Sequence, residues 1–189
     1  MQPTIIRLVL LVVIVACGAG LYEVVDSAQT LPLRQAQDSA LQRFGPDLLN
    51  LCQTAVKNRT ASLPDNVKVA VIDSDKKTVY DVYQDSLPAS VQASDKSDVA
   101  VLLCLSESKN VYATDKYGQS ETYTCTRYSR DLTGYLIDVK TGKTFNFSSF
   151  DGVVPPECPD STSSDISRTG DIPLASDIAD WVASVTKSN

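Results

Sequence analysis

The chain has 189 residues, a net charge of −6 and no histidine. That length suits one domain with a real core, and the acidic balance argues against a basic patch for nucleic acid or anionic lipid, since Lys76-Lys77 is the densest cationic run. Without imidazole, Ser-His-Asp and Cys-His catalysis within the chain are excluded and the commonest zinc ligand is missing, so neither a metal nor a cofactor is expected.

Arg7 and the amine of Met1 form a positive start, and Leu8 to Val15 an apolar run. Ile14-Val15-Ala16-Cys17 then resembles the lipobox of bacterial lipoprotein signal peptides, with an aliphatic residue three before the cysteine and a small one just before it. The resemblance covers the leader alone. It implies a signal peptide over 1–16, diacylglycerol on the Cys17 sulfur and a fatty acyl chain such as palmitate on the new amino terminus. More than one chain gives durable anchoring. Two other readings stay open. Residues 5–25 are apolar enough for an uncleaved signal anchor, with Arg7 at the cytoplasmic interface. A simple cleavage near Ala16 to Ala19 would release the domain. All three place residues beyond about 26 outside the cytoplasm.

Residues 17–32 read as a tether and 33–187 as a single α+β domain. Leu33, Ala36, Ala40, Leu41 and Phe44 make a helical stripe, Gly45-Pro46 breaks it, and Leu48, Leu49, Cys52, Ala55 and Val56 resume it. The pattern predicts two short helices, or one kinked helix, over about 33–58. Val67, Val69 and Val71 alternate before the polar stretch Asp73 to Lys77, and Thr78 to Tyr83 follows as strand, which predicts a hairpin. Asp85 to Lys96 connects to Asp98–Leu105, apolar on both faces and so central to a sheet. Glu107 to Asn110 reads as a polar turn. Ser120 to Arg130 and Leu132 to Val139 read as two strands. Lys140 to Lys143 is a turn with Gly142 at the position that wants positive φ, and Thr144 to Phe150 returns with Phe145 and Phe147 on one face. The proline loop Asp151 to Gly170 cannot continue a ladder. Ser176 to Val185 is an amphipathic helix, with Ser176 as its cap and Trp181 packing it on the sheet. The sum is an antiparallel sheet of about five or six strands with amino-terminal helices and one carboxy-terminal helix.

Five cysteines less Cys17 leave Cys52, Cys104, Cys125 and Cys158, an even set for two disulfides in an oxidising compartment. Four cysteines allow three connectivities. The preferred one pairs Cys104 with Cys125 across two strands, and Cys52 with Cys158. The run from the Cys104 strand through Thr124-Cys125-Thr126, Leu136 to Lys143 and Pro155-Pro156-Glu157-Cys158-Pro159 to the Trp181 helix resembles uncharacterised bacterial envelope proteins over about 98–185. It implies no particular activity.

Asp73-Ser74-Asp75 could open a calcium loop, but the central glycine is missing and Gln84 stands where the closing glutamate belongs, so a hairpin turn is expected. Asp73, Asp75, Asp81, Glu107 and Glu121 are available as paired acids, although spacing does not converge them. Tyr112, Tyr117, Tyr123, Tyr128 and Tyr135 could form a stacking face for glycan or peptide; the alternative is ordinary strand composition with half of them buried. Asn58-Arg59-Thr60 and Asn146-Phe147-Ser148 match the glycosylation pattern, coincidentally if the leader is bacterial.

These features favour a non-enzymatic lipoprotein held at the extracytoplasmic face of the cell membrane, binding another envelope protein or serving as an accessory subunit. A signal-anchored, single-pass protein with a glycan- or peptide-binding domain is the second reading, and a carboxylate-dependent hydrolase the third.

Overall fold

Val69–Asp73 and Val101–Leu105 are buried at every position because they are neighbouring strands in the middle of a sheet covered on both faces. A computed structural model describes residues 31–54, 67–118 and 120–186. The leader, Cys17 and Asn58 lie outside them.

In chain order the elements are α1 (31–54), β1 (Val69–Asp73), β2 (Thr78–Val79), α2 (Asp81–Gln84), β3 (Val101–Tyr117), β4 (Tyr123–Asp138), β5 (Lys143–Phe150), β6 (Ile166–Thr169) and α3 (Ala175–Thr186). The sheet runs β2-β1-β3-β4-β5, and β6 adds to β4. It is α+β as expected, but the sheet is mixed rather than antiparallel: β1 runs parallel to β3, and β4 parallel to β6. The intervening chain from Ser74 to Ala100 is long enough for a parallel crossover, which alternation within each strand does not reveal.

One face of the sheet carries Val69, Val71, Val101, Leu103, Leu105, Leu132 and Leu136, packed with Tyr83 from α2 and with Ile178 and Val182 from α3. Trp181 meets Phe150 edge-on at 5.4 Å, so it does fasten α3 to the sheet. That helix begins at Ala175, which places Ser176 inside its first turn instead of capping it. The other face carries Ala70, Ile72, Leu102, Cys104 and Ile137 against Ala40, Phe44, Leu48 and Leu49 of α1. α1 is one helix broken in direction at Gly45, whose φ of +76° is a left-handed conformation that only glycine adopts cheaply. The Lys96 N–H donates to the Arg43 carbonyl at the break, 3.2 Å away.

The hairpin β1–β2 forms as expected, with Asp73 Oδ1 accepting the N–H groups of Asp75 and Lys76 in its turn. Its second strand stops at Val79, however, and Asp81–Gln84 is a helical turn. The reason is a buried side chain acting as backbone. The Gln84 amide oxygen accepts the Val71 N–H at 2.6 Å, and its nitrogen donates to the Val69 and Ala93 carbonyls. Gln84 thus completes the edge of β1 that a longer β2 would have covered.

The expected turn at Glu107–Asn110 is absent. β3 runs through it, and β4 continues past Arg130 as one strand; the two pair from Val101↔Asp138 to Tyr117↔Tyr123. A polar run reads as a turn in sequence, but here the facing strand satisfies every second residue of its backbone and the side chains are solvated. The turn falls between Tyr117 and Tyr123, where Gly118 and Glu121 have positive φ. Gly142 takes φ +67° in the next turn, as expected.

Phe145 and Phe147 lie on opposite faces, contrary to expectation. The register slips between Leu136↔Asn146 and Ile137↔Thr144, so Phe145 is an extra, bulged residue. It packs with the α3-side cluster, whereas Phe147 stacks on Tyr135 on the α1 side.

Two disulfides are present, but with a different connectivity: Cys52–Cys104 and Cys125–Cys158. The long hairpin explains the error. Cys104 stands opposite Tyr135, and Cys125 opposite Asp115, so the two cysteines of the hairpin are far apart along it. Cys104 instead faces α1 and meets Cys52; the proline loop brings Cys158 to Cys125.

Candidate functional site

Beyond Leu105, β3 leaves β1 behind, and ahead of Leu132, β4 has no pairing with β5. The ladder from Ser108 to Tyr117 and from Tyr123 to Asp131 therefore projects as an arm of two long strands. The outer edge of β4 is covered. Cys125–Tyr128 pairs with β6, the Gly170 N–H donates to the Tyr128 carbonyl, and the Gly152 N–H donates to Asp131. The proline loop is fixed along the arm by Cys158, by Arg127 Nη2 donating to the Pro155 carbonyl at 2.5 Å, and by the Tyr117 hydroxyl donating to the Pro159 carbonyl at 2.7 Å. Prolines leave their own carbonyls free to accept, which suits this arrangement. The outer edge of β3 from Ser108 to Tyr117 has no strand partner among the described residues.

The five tyrosines do not make one platform. Alternation along β4 puts Tyr123 and Tyr135 on the α1 side of the sheet and Tyr128 on the other. Tyr123 and Tyr135 are also about 40 Å apart at about 3.3 Å per residue. Four of the rings have a local task. Tyr112 lies under the Arg127 guanidinium at 5.1 Å, Tyr128 under the Lys109 ammonium at 4.3 Å, and Tyr135 against Phe147 at 6.2 Å. Tyr117 is held by its hydroxyl bond, and its pKa is raised, chiefly by desolvation. Tyr112 alone combines substantial exposure, 52%, with a concave setting.

That setting is a concavity of about 280 Å³ lined by Tyr112, Ser129, Asp131, Asp151, Gly152 and Val154. Pleat alternation aims Ser129 and Asp131 to the same side as Arg127, and the chain leaving β5 closes the wall. Asp131 accepts from the Gly152 N–H at 3.0 Å, from Asn110 at 2.9 Å and from Ser129 at 3.1 Å. These donors stabilise the carboxylate and hold its pKa below the ordinary range. Sequence reasoning missed Ser129, Asp131 and Asp151, because their convergence depends on a loop folding back 20 residues later.

The acids singled out from sequence are mostly structural. Asp73 closes the β1–β2 turn and pairs with Lys76 at 2.8 Å. Asp75 accepts the Glu107 N–H at 2.8 Å and the Ser106 hydroxyl at 3.1 Å, clamping that turn to the base of the arm. Glu107 forms a two-pronged pair with Arg130 at 2.6 and 2.9 Å, which lowers its pKa, and Glu121 pairs with Lys116 at 2.7 Å. Asp81 opens α2. Among the described residues, the carboxyls with a shifted pKa are Asp95, Glu107 and Asp131, and all three are lowered. A general acid requires the opposite shift. No group of three or more Cys, Asp or Glu suited to a metal occurs among the described residues.

Among the described residues no helix is long and apolar enough to cross a membrane. No family model, no curated protein and no solved structure matches this chain.

Proposed function

We propose that the protein is a lipoprotein anchored through Cys17 at the extracytoplasmic face of the cell membrane, and that its domain binds a partner in the cell envelope without chemistry of its own. The observation that carries this reading is cysteine use. The lipobox-like Ile14-Val15-Ala16-Cys17 supplies one cysteine for lipid, and each of the other four has a disulfide partner. Disulfides of this kind persist in oxidising compartments, which agrees with export. Intact mass of the protein from a bacterial membrane fraction tests the proposal. A chain beginning at Cys17 and carrying acyl groups, gaining four hydrogens on reduction, is the expected result. A mass retaining Met1 to Ala16 would make the leader a signal anchor instead.

The concavity at Tyr112 favours a second, compatible reading in which the bound group is a glycan or peptide. An exposed ring offers a stacking surface, while Ser129, Asp131 and Asp151 can accept from hydroxyl or amine donors. Replacing Tyr112 with alanine should abolish retention on immobilised envelope glycan or peptide while leaving the circular dichroism of the fold unchanged. Unaltered retention would remove this site from consideration.

A further inference from the structure

The free edge of β3 has a definite pattern of exposed backbone. The Leu105 carbonyl accepts from Ser74, and the Glu107 N–H donates to Asp75, so both point away from β4. Strand alternation then turns the backbone groups of Lys109 and Val111 outward as well. At Tyr112 the register shifts: Val111 is opposite Tyr128, but Ala113 is opposite Arg127. The Val139 N–H donates to the Ala100 carbonyl, and the Tyr128 carbonyl accepts from Gly170 on the far side, so odd-numbered residues of β4 face β3. Ala113 and Asp115, which stand opposite Arg127 and Cys125, must therefore point inward, and Thr114 and Lys116 outward. The bulge thus switches the outward set from odd to even numbers.

An edge of this kind fits a copy of itself. In an antiparallel pair about a two-fold axis, a residue before the bulge meets one after it, and the outward sets coincide only when odd meets even. The axis between Val111 and Tyr112 satisfies this. It sets Lys109 opposite Thr114, Ser108 opposite Asp115 and Glu107 opposite Lys116, each twice. Val111 and Tyr112, which are 63% and 52% exposed, then meet at the centre. Moving the pairing on by two residues keeps the parity but sets Lys109 opposite Lys116, a repulsive cross-strand contact. The Asp75 carboxylate on the Glu107 N–H stops the ladder at each end, so the pairing closes and does not propagate.

We propose that β3 joins a second copy of this chain along this edge, antiparallel about the Val111–Tyr112 axis, to give a closed dimer with one continuous sheet. The axis is perpendicular to the sheet, so the α1 helices of both copies lie on the same side of it. This inference is independent of the lipid anchor; it shares Tyr112 with the concavity, so the test leaves that residue in place.

The test uses the full chain in detergent. Ser108→Cys and Asp115→Cys, each made singly, are mixed in equal amounts, oxidised gently and run on a non-reducing gel; both positions are exposed. A covalent dimer from the mixture, several-fold above either variant alone, is expected, because these residues face each other only across the proposed pair. In parallel, light scattering should give a two-chain mass for the native protein and a one-chain mass for Val111→Lys, with the same near-ultraviolet circular dichroism to show that the fold is kept. A one-chain mass for the native protein overturns the dimer. A dimer that survives Val111→Lys, or equal cross-linking of Ser108→Cys with itself, overturns the edge and the register.

Discussion

The body and the arm of this protein are built from the same two strands by different means. From Val101 to Leu105, β3 is wrapped by apolar side chains on both faces and by strands on both edges. From Ser108 to Tyr117 the same strand has one strand neighbour, solvated side chains and an open edge. Burial holds the body, at about 25 cal/mol for each Å² of apolar surface. The arm relies on its backbone ladder, a disulfide, the Glu107–Arg130 pair and cations over rings. Where burial supplies the stability the side chains are enclosed, whereas along the arm most of them are solvated.

The sharpest way to separate the two regions is to remove the disulfides one at a time. Each closes a long loop, with sequence separations of 52 and 33, so the chain-entropy argument assigns about 4 kcal/mol to each. Replacing either pair with alanines should lower global stability by that order in denaturant titration. Only loss of Cys125–Cys158 should also speed hydrogen exchange at Thr124 to Tyr128 under conditions where β1 stays protected. Side-chain truncation sharpens the contrast further. Leu103→Ala, wholly buried, should cost about 2–5 kcal/mol, whereas Val111→Ala on the arm should stay within about 0.5 kcal/mol, both read from unfolding midpoints at dilutions where the chain is monomeric.

Gln84→Ala probes the polar part of the body. It strands the buried Val71 N–H, at a cost of about 1–3 kcal/mol with no change in the arm's hydrogen exchange.

The smallest effect concerns pH at the base of the arm. The Glu107 carboxyl is held below its ordinary value of 4.5, mainly by the bond from Arg130. Its contribution is therefore present above that value and lost as pH falls through the lowered one. Melting temperature should fall less steeply between about pH 5 and about pH 3 in Glu107→Gln than in the native chain, by the equivalent of about 1 kcal/mol or less, since both partners are partly exposed. Parallel curves would show that the pair is energetically idle.

Periodicity made the body legible. The alternation of Val67, Val69 and Val71, the unbroken apolar run at Val99 to Leu105 and the Gly45-Pro46 break all mark what the structure contains, because burial writes itself into sequence as pattern. The arm was illegible for the converse reason. Glu107 to Asn110 is polar because its side chains are solvated, and solvated strand looks like turn when the partner strand is out of view. The wrong disulfide connectivity followed directly, since shortening the hairpin brings Cys104 and Cys125 together. The concavity depends on Gly152, where an added Cβ would lie 2.3 Å from the Arg130 carbonyl oxygen. A close approach of that kind between distant segments has no local signature.

The Cys52–Cys104 bond has a mechanical consequence. A pull on the chain at residue 31 meets the end of α1, a helix that peels from the sheet one turn at a time. Twenty-odd residues passing from helix, at about 1.5 Å per residue, to extended chain, at about 3.4 Å, would yield about 40 Å of slack. The peeling ends at Cys52, where a covalent link hands the load to Cys104 in the middle of the sheet and spares β1. The staple is therefore a strain relief, like the clamp on a cable: the lead can give up its cover of one sheet face while the paired strands behind it keep their places.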